Sequence, residues 1–356
     1  MALRQELRAR LTGGGGDDPI FLADLTRWYQ RMALLGMMPP ALEGLALPEV
    51  YRALGLPIWM VARLWSESLP GMEVSLEEDE FQRTRRVETA SGPLIWQWER
   101  APRTEWQQTH LPIAGPADLP AAVLWARAMR WELDTTGLTE LDASIGSDGL
   151  LAIELPPRPI MRLGRELIGW DRLEELLEEP AMGMILAALD EPLQEAATAL
   201  AQLAGSLQSS PDGLTSATVT APFFDRYLAP SYRSTTCELR EYHKVLQVSV
   251  HGDCADLAAP ALEAGIATLA GVAPAEAGPS LGRRSAQLGE GITLWGGIDG
   301  GWLSPTVPVT SFEDGVRRAA ADAAGHRGIV LGLAGTLPSD MDLDRLRAIP
   351  ELIRSI

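Results

Sequence analysis

The sequence contains little cysteine and histidine and has fewer basic than acidic residues. Only two cysteines and four histidines occur among 356 residues. Cys237 and Cys254 are too few to form the disulfide framework of a small secreted protein. Lysine and arginine number 30 against 48 aspartates and glutamates, which gives a net charge of −18. Because a phosphate backbone demands a basic face, this balance argues against a protein that binds nucleic acid or an anionic membrane.

The sequence also lacks long apolar runs. None reaches the roughly 18 residues that a membrane span needs. The N-terminal stretch MALRQELRARL predicts an amphipathic helix and lacks the apolar core of a signal peptide, so we expect a cytoplasmic protein. The glycine run at 13–16 lacks the preceding strand and the following Gly-Lys-Ser/Thr of a phosphate-binding loop. Residues 1–18 are therefore interpreted as a helix followed by a flexible joint.

What the sequence does contain is an alternation of short β-branched apolar runs with stretches of helical period. The predicted strands are residues 19–25, 57–64, 149–154, 215–220, 245–251, 266–272, 291–296 and 328–333. The predicted helices are residues 181–207, 223–242, 255–264, 280–288, 311–324 and 341–354. Strands that are each followed by a helix imply a parallel sheet. Eight such strands favour an α/β fold of the closed (β/α)8 type, a TIM barrel, over an open doubly wound sheet. Residues 1–356 are interpreted as a single barrel domain.

Residues 72–112 interrupt this rhythm. Polar and apolar residues alternate there around the turn Ser91-Gly92-Pro93. This pattern predicts an antiparallel hairpin inserted into the barrel. Its tryptophans Trp96, Trp98 and Trp106 either wall a pocket or bury themselves against the barrel, and the second interpretation is favoured.

Candidate functional residues follow from the strand ends, because functional side chains of a parallel barrel cluster at the carboxyl ends of its strands. His251, directly behind the strand 245–251, is a candidate general base or metal ligand, since its unperturbed pKa lies near physiological pH. Asp253 follows two residues later and joins His251 as the predicted catalytic pair. The strand ends supply further pocket candidates, and these are Glu154, Arg158, Asp212, Phe223, Cys254, Trp295 and Asp299. Cys254 has the alternative role of a small core residue.

Several of these stretches resemble one family. Residues 221–233 (APFFDRYLAPSYR), 251–257 (HGDCADL), 294–299 (LWGGID) and 332–338 (GLAGTLP) resemble the uroporphyrinogen decarboxylase superfamily, which includes corrinoid and coenzyme M methyltransferases. Residues 89–98 and 164–180 are similar to its methyltransferase-like branch. The resemblance covers nearly the whole chain, and it implies a (β/α)8 barrel with its pocket at the strand carboxyl ends.

The sequence departs from the decarboxylases of that superfamily at two places. They carry a Met-Arg-Gln-Ala-Gly-Arg segment that holds substrate carboxylates, whereas here the comparable place offers only Arg27 and Arg31. They also carry a histidine in a loop after the last strand, where this chain has Ala334. These departures argue against decarboxylation of a porphyrinogen.

The sequence also departs from the zinc-dependent methyltransferases. These show His-x-Cys at the end of the sixth strand, but here Asp253 occupies the cysteine position, and Ala334 stands where the family has its third ligand. We therefore do not expect zinc. A metal held by His251 and Asp253 would need a third ligand, for which Glu154 and Asp299 are the candidates.

The leading hypothesis is a methyltransferase-like enzyme that moves a methyl group between a small methylated substrate and a corrinoid on a partner protein. In it, His251 and Asp253 polarise or protonate the leaving heteroatom, and Trp295 and Phe223 wall an apolar pocket. No tightly bound cofactor is expected, and the corrinoid is a co-substrate. Two alternatives stay open. One is a decarboxylase or other lyase acting on a cyclic carboxylate, held by the arginines Arg27, Arg31, Arg158 and Arg165; the other is a non-catalytic binding barrel.

Two aromatic segments bear on assembly. Residues 125–131 and 96–98 carry tryptophans that a single barrel need not bury. Exposed apolar patches usually mark a partner surface, and a twofold dimer is the commonest closed assembly. The sequence therefore predicts a homodimer.

Overall fold

The computed structural model describes residues 3–13, 18–205, 207–252, 254–274 and 279–356. Thirteen β-strands lie in these ranges. They are β1 (Ile58–Arg63), β2 (Trp65–Ser68), β3 (Val74–Glu78), β4 (Gln82–Val87), β5 (Leu94–Glu99), β6 (Gln107–His110), β7 (Arg130–Leu133), β8 (Gly149–Glu154), β9 (Leu207–Leu214), β10 (Val245–Val250), β11 (Thr268–Val272), β12 (Thr293–Asp299) and β13 (Ile329–Ala334).

The same ranges contain fourteen α-helices. They are α1 (Leu3–Leu11), α2 (Thr26–Leu35), α3 (Leu47–Leu54), α4 (Leu119–Ala128), α5 (Leu138–Ile145), α6 (Pro159–Arg162), α7 (Trp170–Leu176), α8 (Pro180–Ala201), α9 (Ala221–Phe223), α10 (Ala229–Glu241), α11 (Ala255–Glu263), α12 (Leu281–Leu288), α13 (Val309–Ala323) and α14 (Leu343–Arg354). Five-residue π-helical turns follow α6 and α9. No described helix has the length and apolar character that crossing a membrane requires.

The chain forms two compact units. The larger unit comprises Met1–Arg63, Thr136–Leu155 and Ala201–Ile356, and the smaller unit comprises Leu64–Thr135 and Pro156–Leu200. The larger unit carries most of the predicted strands, and the smaller unit contains the predicted hairpin.

A parallel sheet of seven strands forms the centre of the larger unit, in the order β1-β8-β9-β10-β11-β12-β13. The fold is therefore α/β, as the alternation of strands and helices predicts. β8 and β12 are buried along their length, and only their last residues, Glu154 and Asp299, are partly exposed. Burial on both faces is typical of parallel strands that are covered by helices.

The first predicted strand, residues 19–25, is reduced to a single bridge between Phe21 and Leu331 on β13. Further along the same segment, the hydroxyl of Tyr51 accepts the N–H of Leu25 at 2.9 Å and donates to the carbonyl of Ala23 at 2.9 Å. A side chain thus occupies backbone groups that a closed barrel would use for pairing with β1. Among the described residues no ladder joins this segment to β1, so the sheet is not a closed barrel of eight strands.

The sheet curls strongly. Four strands lie between β1, which carries Trp59, and β12, which carries Trp295, yet the two ring centroids are 4.8 Å apart at an interplanar angle of 82°. The indole Nε1 of Trp295 donates to the carbonyl of Leu22 at 2.8 Å. A Cβ at Gly332 would come within 2.2 Å of that nitrogen, so only glycine fits beside the ring. The two indoles therefore fill the concave face of the sheet.

The prediction of a strand at residues 215–220 is wrong. The strand at this place is β9, Leu207–Leu214, and the predicted residues form a turn in which Val219 N–H donates to Thr215 O at 2.9 Å. Pro211 and Gly213 are signals for a turn, but here they lie inside the strand. The other predicted strands of the sheet agree with β1, β8, β10, β11, β12 and β13 to within about three residues, a normal error for element ends.

Helix α1 is anchored at the amino ends of the strands. Its Leu7 and Leu11 are fully buried. The hydroxyls of Thr268 and Thr293, at the starts of β11 and β12, donate to the carbonyls of Leu11 and Arg10 at 2.6 and 2.7 Å. These carbonyls belong to the last turn of the helix, where no intrahelical donor remains. The predicted helix is confirmed, and residues 14–16 of the predicted glycine joint lie outside the described residues.

The smaller unit contains two antiparallel sheets. One pairs β2 with β7, and the other has the order β3-β4-β5-β6. The turn Ser91-Gly92-Pro93 connects β4 to β5, so the predicted hairpin is confirmed and extends to four strands. Trp96 and Trp125 are 3% and 0% exposed. Since these rings belong to the unit's own core, they offer no surface for a dimer; the homodimer itself stays a prediction.

Three charged residues lie in this core, and we call them the Glu67 cluster: Glu67, Arg85 and Arg162. Glu67 forms ion pairs with both arginines. The Arg162 guanidinium also lies 5.0 and 5.2 Å from the ring centroids of Trp125 and Trp131. Burial acts to raise the pKa of Glu67, but the two arginines outweigh it and the net pKa is lowered.

Candidate functional site

Glu154 is the last residue of β8 and lies at the carboxyl edge of the parallel sheet. The strand register places it beside Arg63, the last residue of β1, and beside Ser209 on β9. Side chains in register on neighbouring strands point to the same face. The Nε of Arg63 lies 3.8 Å from Oε1 of Glu154, and the two side chains are 62% and 22% exposed. The acid is thus mostly enclosed while its partner is mostly in solvent.

Two more charged residues act on this acid. Burial raises the pKa of Glu154; Arg63 and Arg27 lower it by a smaller amount, and Asp24 adds to the rise. The net pKa is above the ordinary value of 4.5. We call these four residues the Glu154 cluster: Asp24, Arg27, Arg63 and Glu154. A carboxyl group whose pKa is raised keeps its proton to higher pH than a free carboxyl group, and at a strand end this makes it a candidate general acid.

Sequence reasoning identified Glu154 and Arg27 but not Arg63 and Asp24. The signal for Arg63 was present, because it lies at the carboxyl end of the predicted strand 57–64, where the rule for parallel strands applies equally. Asp24 had no such signal, since its position beside Glu154 depends on the fold. Arg31 lies one helical turn after Arg27, and its guanidinium donates to the carbonyl of Leu337.

Asp212 lies on a bulge of β9. Ser210 pairs with Val248 and Leu214 pairs with Val250, so three residues of β9 face one residue of β10. Gly213, at φ 53°, adopts a left-handed conformation that favours glycine. Its N–H donates to the hydroxyl of Ser249 at 2.9 Å. Bulges of this kind re-aim side chains and are frequent beside active sites.

The Asp212 carboxylate is held in a closed network. Its Oδ2 accepts hydrogen bonds from the hydroxyls of Ser210, at 2.5 Å, and Tyr232, at 2.6 Å. All three residues are fully buried, and the Tyr232 ring stacks on Phe224 with centroids 5.6 Å apart. The network joins β9 to α10 and fixes the bulge. Tyr232 has no sequence signal as a partner of Asp212, because 20 residues separate the two.

His251 follows β10 and is exposed. Its backbone N–H donates to the carbonyl of Leu214, the last residue of the bulged strand, at 2.7 Å. Asp253, the predicted partner of His251, lies outside the described residues. Cys254 is 1% exposed and precedes α11, which agrees with the alternative role of a small core residue.

The remaining pocket candidates lie on several elements of the two units. Trp295 lies in the core, and Phe223 is 8% exposed with its ring 4.9 Å from that of Tyr227. Asp299 accepts the N–H of Gly301 at 2.8 Å and so caps a short 3-10 helix. Arg158 is fully buried in the smaller unit, directly before α6.

Two further features concern ligands. The described ranges contain no group of three or more His, Cys, Asp or Glu side chains that could hold a metal ion. A cleft of about 140 Å³ lies at the opposite, amino edge of the parallel sheet, where glycines at 13, 289, 291 and 328 surround Ile292 and the Glu290–Arg327 pair. We place the candidate site at the carboxyl edge nevertheless, because the cleft is formed mainly by glycine backbone and carries none of the strand-end acids.

The whole chain has the fold of a known enzyme. A methyltransferase from Methanosarcina mazei superposes with a TM-score of 0.59 at 15% sequence identity, covering 100% of this chain and 99% of the other. D-psicose 3-epimerase from Clostridium cellulolyticum H10 matches at a TM-score of 0.38 and 14% identity over 62% of this chain and 83% of its own, a likeness too low to carry an argument. No family model matches the sequence, and a search of the curated proteins finds no match. At 15% identity the likeness to the methyltransferase shows a shared fold.

Proposed function

We propose that this protein is a methyltransferase-like enzyme that moves a methyl group between a small methylated substrate and a corrinoid on a partner protein. The observation that carries the proposal is Glu154, a mostly enclosed acid with a raised pKa at the carboxyl edge of the sheet. The fold shared over the full length with a methyltransferase supports the reaction class. The resemblance of residues 89–98 and 164–180 to the methyltransferase-like branch supports it further.

In this proposal Glu154 supplies the proton. When the bond between the methyl carbon and its heteroatom breaks, the electron pair stays on the heteroatom and the methyl group passes to the corrinoid. Glu154 protonates the heteroatom, and the resulting carboxylate is stabilised by the guanidinium groups of Arg63 and Arg27. His251, which directly follows β10, polarises the leaving group from a second strand end, and Asp253 is its predicted partner in this role.

Methyl transfer can be followed by the absorbance change between cob(I)alamin and methylcobalamin. The assay uses the purified protein with methanol, methylamines and methylthiols as methyl donors. We expect turnover with one of these donor classes and a loss of about 100-fold in Glu154→Gln, the scale of a lost general acid. Glu351→Gln is the matched control, because Glu351 is an exposed glutamate on α14. Equal rates in the two variants would contradict the role of Glu154.

A decarboxylase acting on a cyclic carboxylate is the second candidate. Arg27 and Arg63 beside Glu154 favour it, because guanidinium groups bind carboxylates well. The test is consumption of uroporphyrinogen by the same protein, with Arg63→Gln as the diagnostic variant. Turnover of this substrate without methyl transfer would replace the first proposal. A lack of turnover in both assays would favour the third hypothesis, a non-catalytic binding barrel.

A further inference from the structure

The strand β3 forms an exposed edge of the four-stranded sheet in the smaller unit. It is the first strand in the order β3-β4-β5-β6, and all five of its residues are exposed. Ten large apolar side chains are exposed in the described ranges, and three of them fall close together here: Val74 at 45%, Leu76 at 60% and Phe81 at 45%. Exposed apolar side chains on an unpaired strand edge are a template for pairing with another chain.

The backbone groups available at this edge follow from the ladder to β4. Glu88 N–H donates to Glu73 O at 3.0 Å, and Asp79 N–H donates to Gln82 O at 2.9 Å. Because hydrogen-bonded pairs alternate along an antiparallel ladder, the odd-numbered residues of β3 bond to β4. The N–H and C=O groups of Val74, Leu76 and Glu78 therefore face away from the sheet.

The side chains of these same residues continue the buried face of the sheet. Val74 is in register with Val87 and Leu94, both fully buried. Leu76 is in register with Arg85 and Trp96. The rows of apolar side chains that begin in the buried core of this sheet therefore continue to β3, where Val74 and Leu76 are exposed. An additional strand at this edge would cover both the rows and the outward backbone groups.

The edge is held in place by ordered structure. Asp79 Oδ1 accepts the N–H groups of Phe81 and Gln82 at 2.8 Å each. Arg100 N–H donates to Phe81 O at 3.0 Å, and the Arg100 guanidinium donates to Glu80 O at 2.8 Å. These bonds fix the turn between β3 and β4, so the surface is preorganised and binding costs little ordering entropy.

The negative charge along this edge favours a basic strand as its partner. Five acids, Glu73, Glu77, Glu78, Asp79 and Glu80, lie on or beside the edge. Glu78 forms an ion pair with Arg83 on the neighbouring strand at 2.7 Å. A second copy paired antiparallel about Leu76 would place Glu73 opposite Asp79, and such like-charge pairs are unfavourable. A basic strand would meet complementary charge along its length.

We propose that β3 is a docking edge for an extended basic segment of a partner protein, which adds to the sheet as a fifth strand. Its apolar residues lie opposite Val74 and Leu76, and its lysines or arginines lie opposite Glu73, Glu77 and Glu78. This mode of recognition takes affinity from backbone hydrogen bonds and specificity from alternate side chains. The proposal is independent of the methyl-transfer reaction.

The test uses a fluorescent peptide with the core Lys-Lys-Val-Thr-Val-Lys, written to run antiparallel to residues 73–78. Two further peptides serve as comparisons: one with glutamate in place of each lysine, and one with proline in place of each valine, which lacks the N–H groups. We expect the basic peptide to bind at least about tenfold more tightly than either, and to lose affinity with added salt.

Two protein variants locate the binding. Leu76→Lys should weaken the basic peptide at least about tenfold, since it removes the apolar contact and adds a like charge. Leu34→Lys is the matched control, because Leu34 on α2 is 66% exposed and lies in the larger unit. Equal binding of the basic and acidic peptides, no binding, or no effect of Leu76→Lys would each overturn the proposal. A dimer seen by light scattering that Leu76→Lys abolishes would also overturn it and assign the edge to a second copy.

Discussion

Two glutamates in this molecule have similar neighbours and opposite electrostatics. Glu67 in the smaller unit and Glu154 in the larger unit are both mostly enclosed, and two arginines act on each. The side chain of Arg162, a partner of Glu67, is 7% exposed, whereas that of Arg63, a partner of Glu154, is 62% exposed. The net pKa of Glu67 is lowered and that of Glu154 is raised.

The difference reflects how closely the arginines hold each acid: Arg85 and Arg162 donate hydrogen bonds to Glu67, whereas Arg63 lies 3.8 Å from Glu154 and is mostly in solvent. Removal from water favours the neutral form of both carboxyl groups. An arginine that is buried with the acid compensates for this fully, because little water screens the pair. An arginine in solvent compensates only in part. Glu67 is therefore a charged part of a core, and Glu154 is an acid poised to exchange a proton.

Of the variants that test this comparison, Glu67→Gln should have the largest effect, a loss of stability. The variant removes one carboxylate from the buried guanidinium of Arg162, which keeps its pair with the more exposed Glu166 at 3.2 Å, so we expect a loss of up to about 3 kcal/mol, the scale of a broken buried pair. Urea unfolding, followed by a signal that comes from the smaller unit, measures the loss in the free energy of unfolding. Glu78→Gln is the control, since its pair with Arg83 on the exposed edge should contribute little. A loss as small as that of the control would show that Glu67 and Arg162 are not coupled.

Glu154→Gln should reduce turnover without reducing stability, in contrast to Glu67→Gln. We expect turnover to fall about 100-fold, as for a lost general acid. Stability at neutral pH should stay the same or rise, because the variant removes a carboxyl group that burial disfavours in its charged form. Thermal unfolding and the methyl-transfer assay on one preparation give both quantities. A variant that unfolds more easily than the wild type would place Glu154 with Glu67 as a structural charge.

The pH dependence of stability should separate the two acids by sign. For Glu67, whose folded pKa is below 4.5, the stabilisation is present above 4.5 and is lost as pH falls through the folded pKa. For Glu154, whose folded pKa is above 4.5, the stabilisation is present below 4.5 and is lost as pH rises through the folded pKa. Unfolding free energies of each Gln variant, subtracted from the wild type between about pH 3 and pH 8, should slope in opposite directions. Parallel slopes would refute the comparison.

The smallest effect is expected from Arg63→Gln. An exposed pair with its atoms 3.8 Å apart should contribute less than about 0.5 kcal/mol to stability. Since Arg63 lowers the pKa of Glu154, its removal should move the alkaline limb of the pH–rate profile, on which the rate falls as Glu154 loses its proton, to higher pH. Arg52→Gln, on another exposed pair of the larger unit, should leave the profile in place. A profile that does not move would remove Arg63 from the Glu154 cluster.

The sequence predicts the parallel sheet well, because apolar runs such as residues 149–154 and 245–251 are buried on both faces and carry a strong signal. It fails at β9, where Pro211 and Gly213 are accommodated by a bulge inside the strand. Bulges depend on what the neighbouring strand offers, here the hydroxyl of Ser249, and no local pattern shows that. The missing closure at residues 19–25 has a similar cause, since the competing partner is the side chain of Tyr51.

The candidate site is predicted only in part. Glu154 and His251 follow from the rule of strand ends, and Glu154 lies where that rule places it. The raised pKa of Glu154 could not be predicted, because it depends on how far the fold buries this carboxyl group and on which charged residues lie around it. Trp295 was assigned to a pocket wall, but its contact with Trp59 is set by the curl of the sheet. Contacts between residues more than 200 positions apart leave no periodic signal in the sequence.

The attachment of α1 has a consequence for the order of folding. The hydroxyls that hold its last turn lie 257 and 283 residues further along the chain. During synthesis α1 leaves the ribosome well before β11 and β12, and it cannot dock until these strands exist. Contacts of such sequence separation form late and slow the overall rate. Until then Leu7 and Leu11 are exposed on a nascent chain, so this helix reaches its native place late and needs protection from aggregation in the meantime.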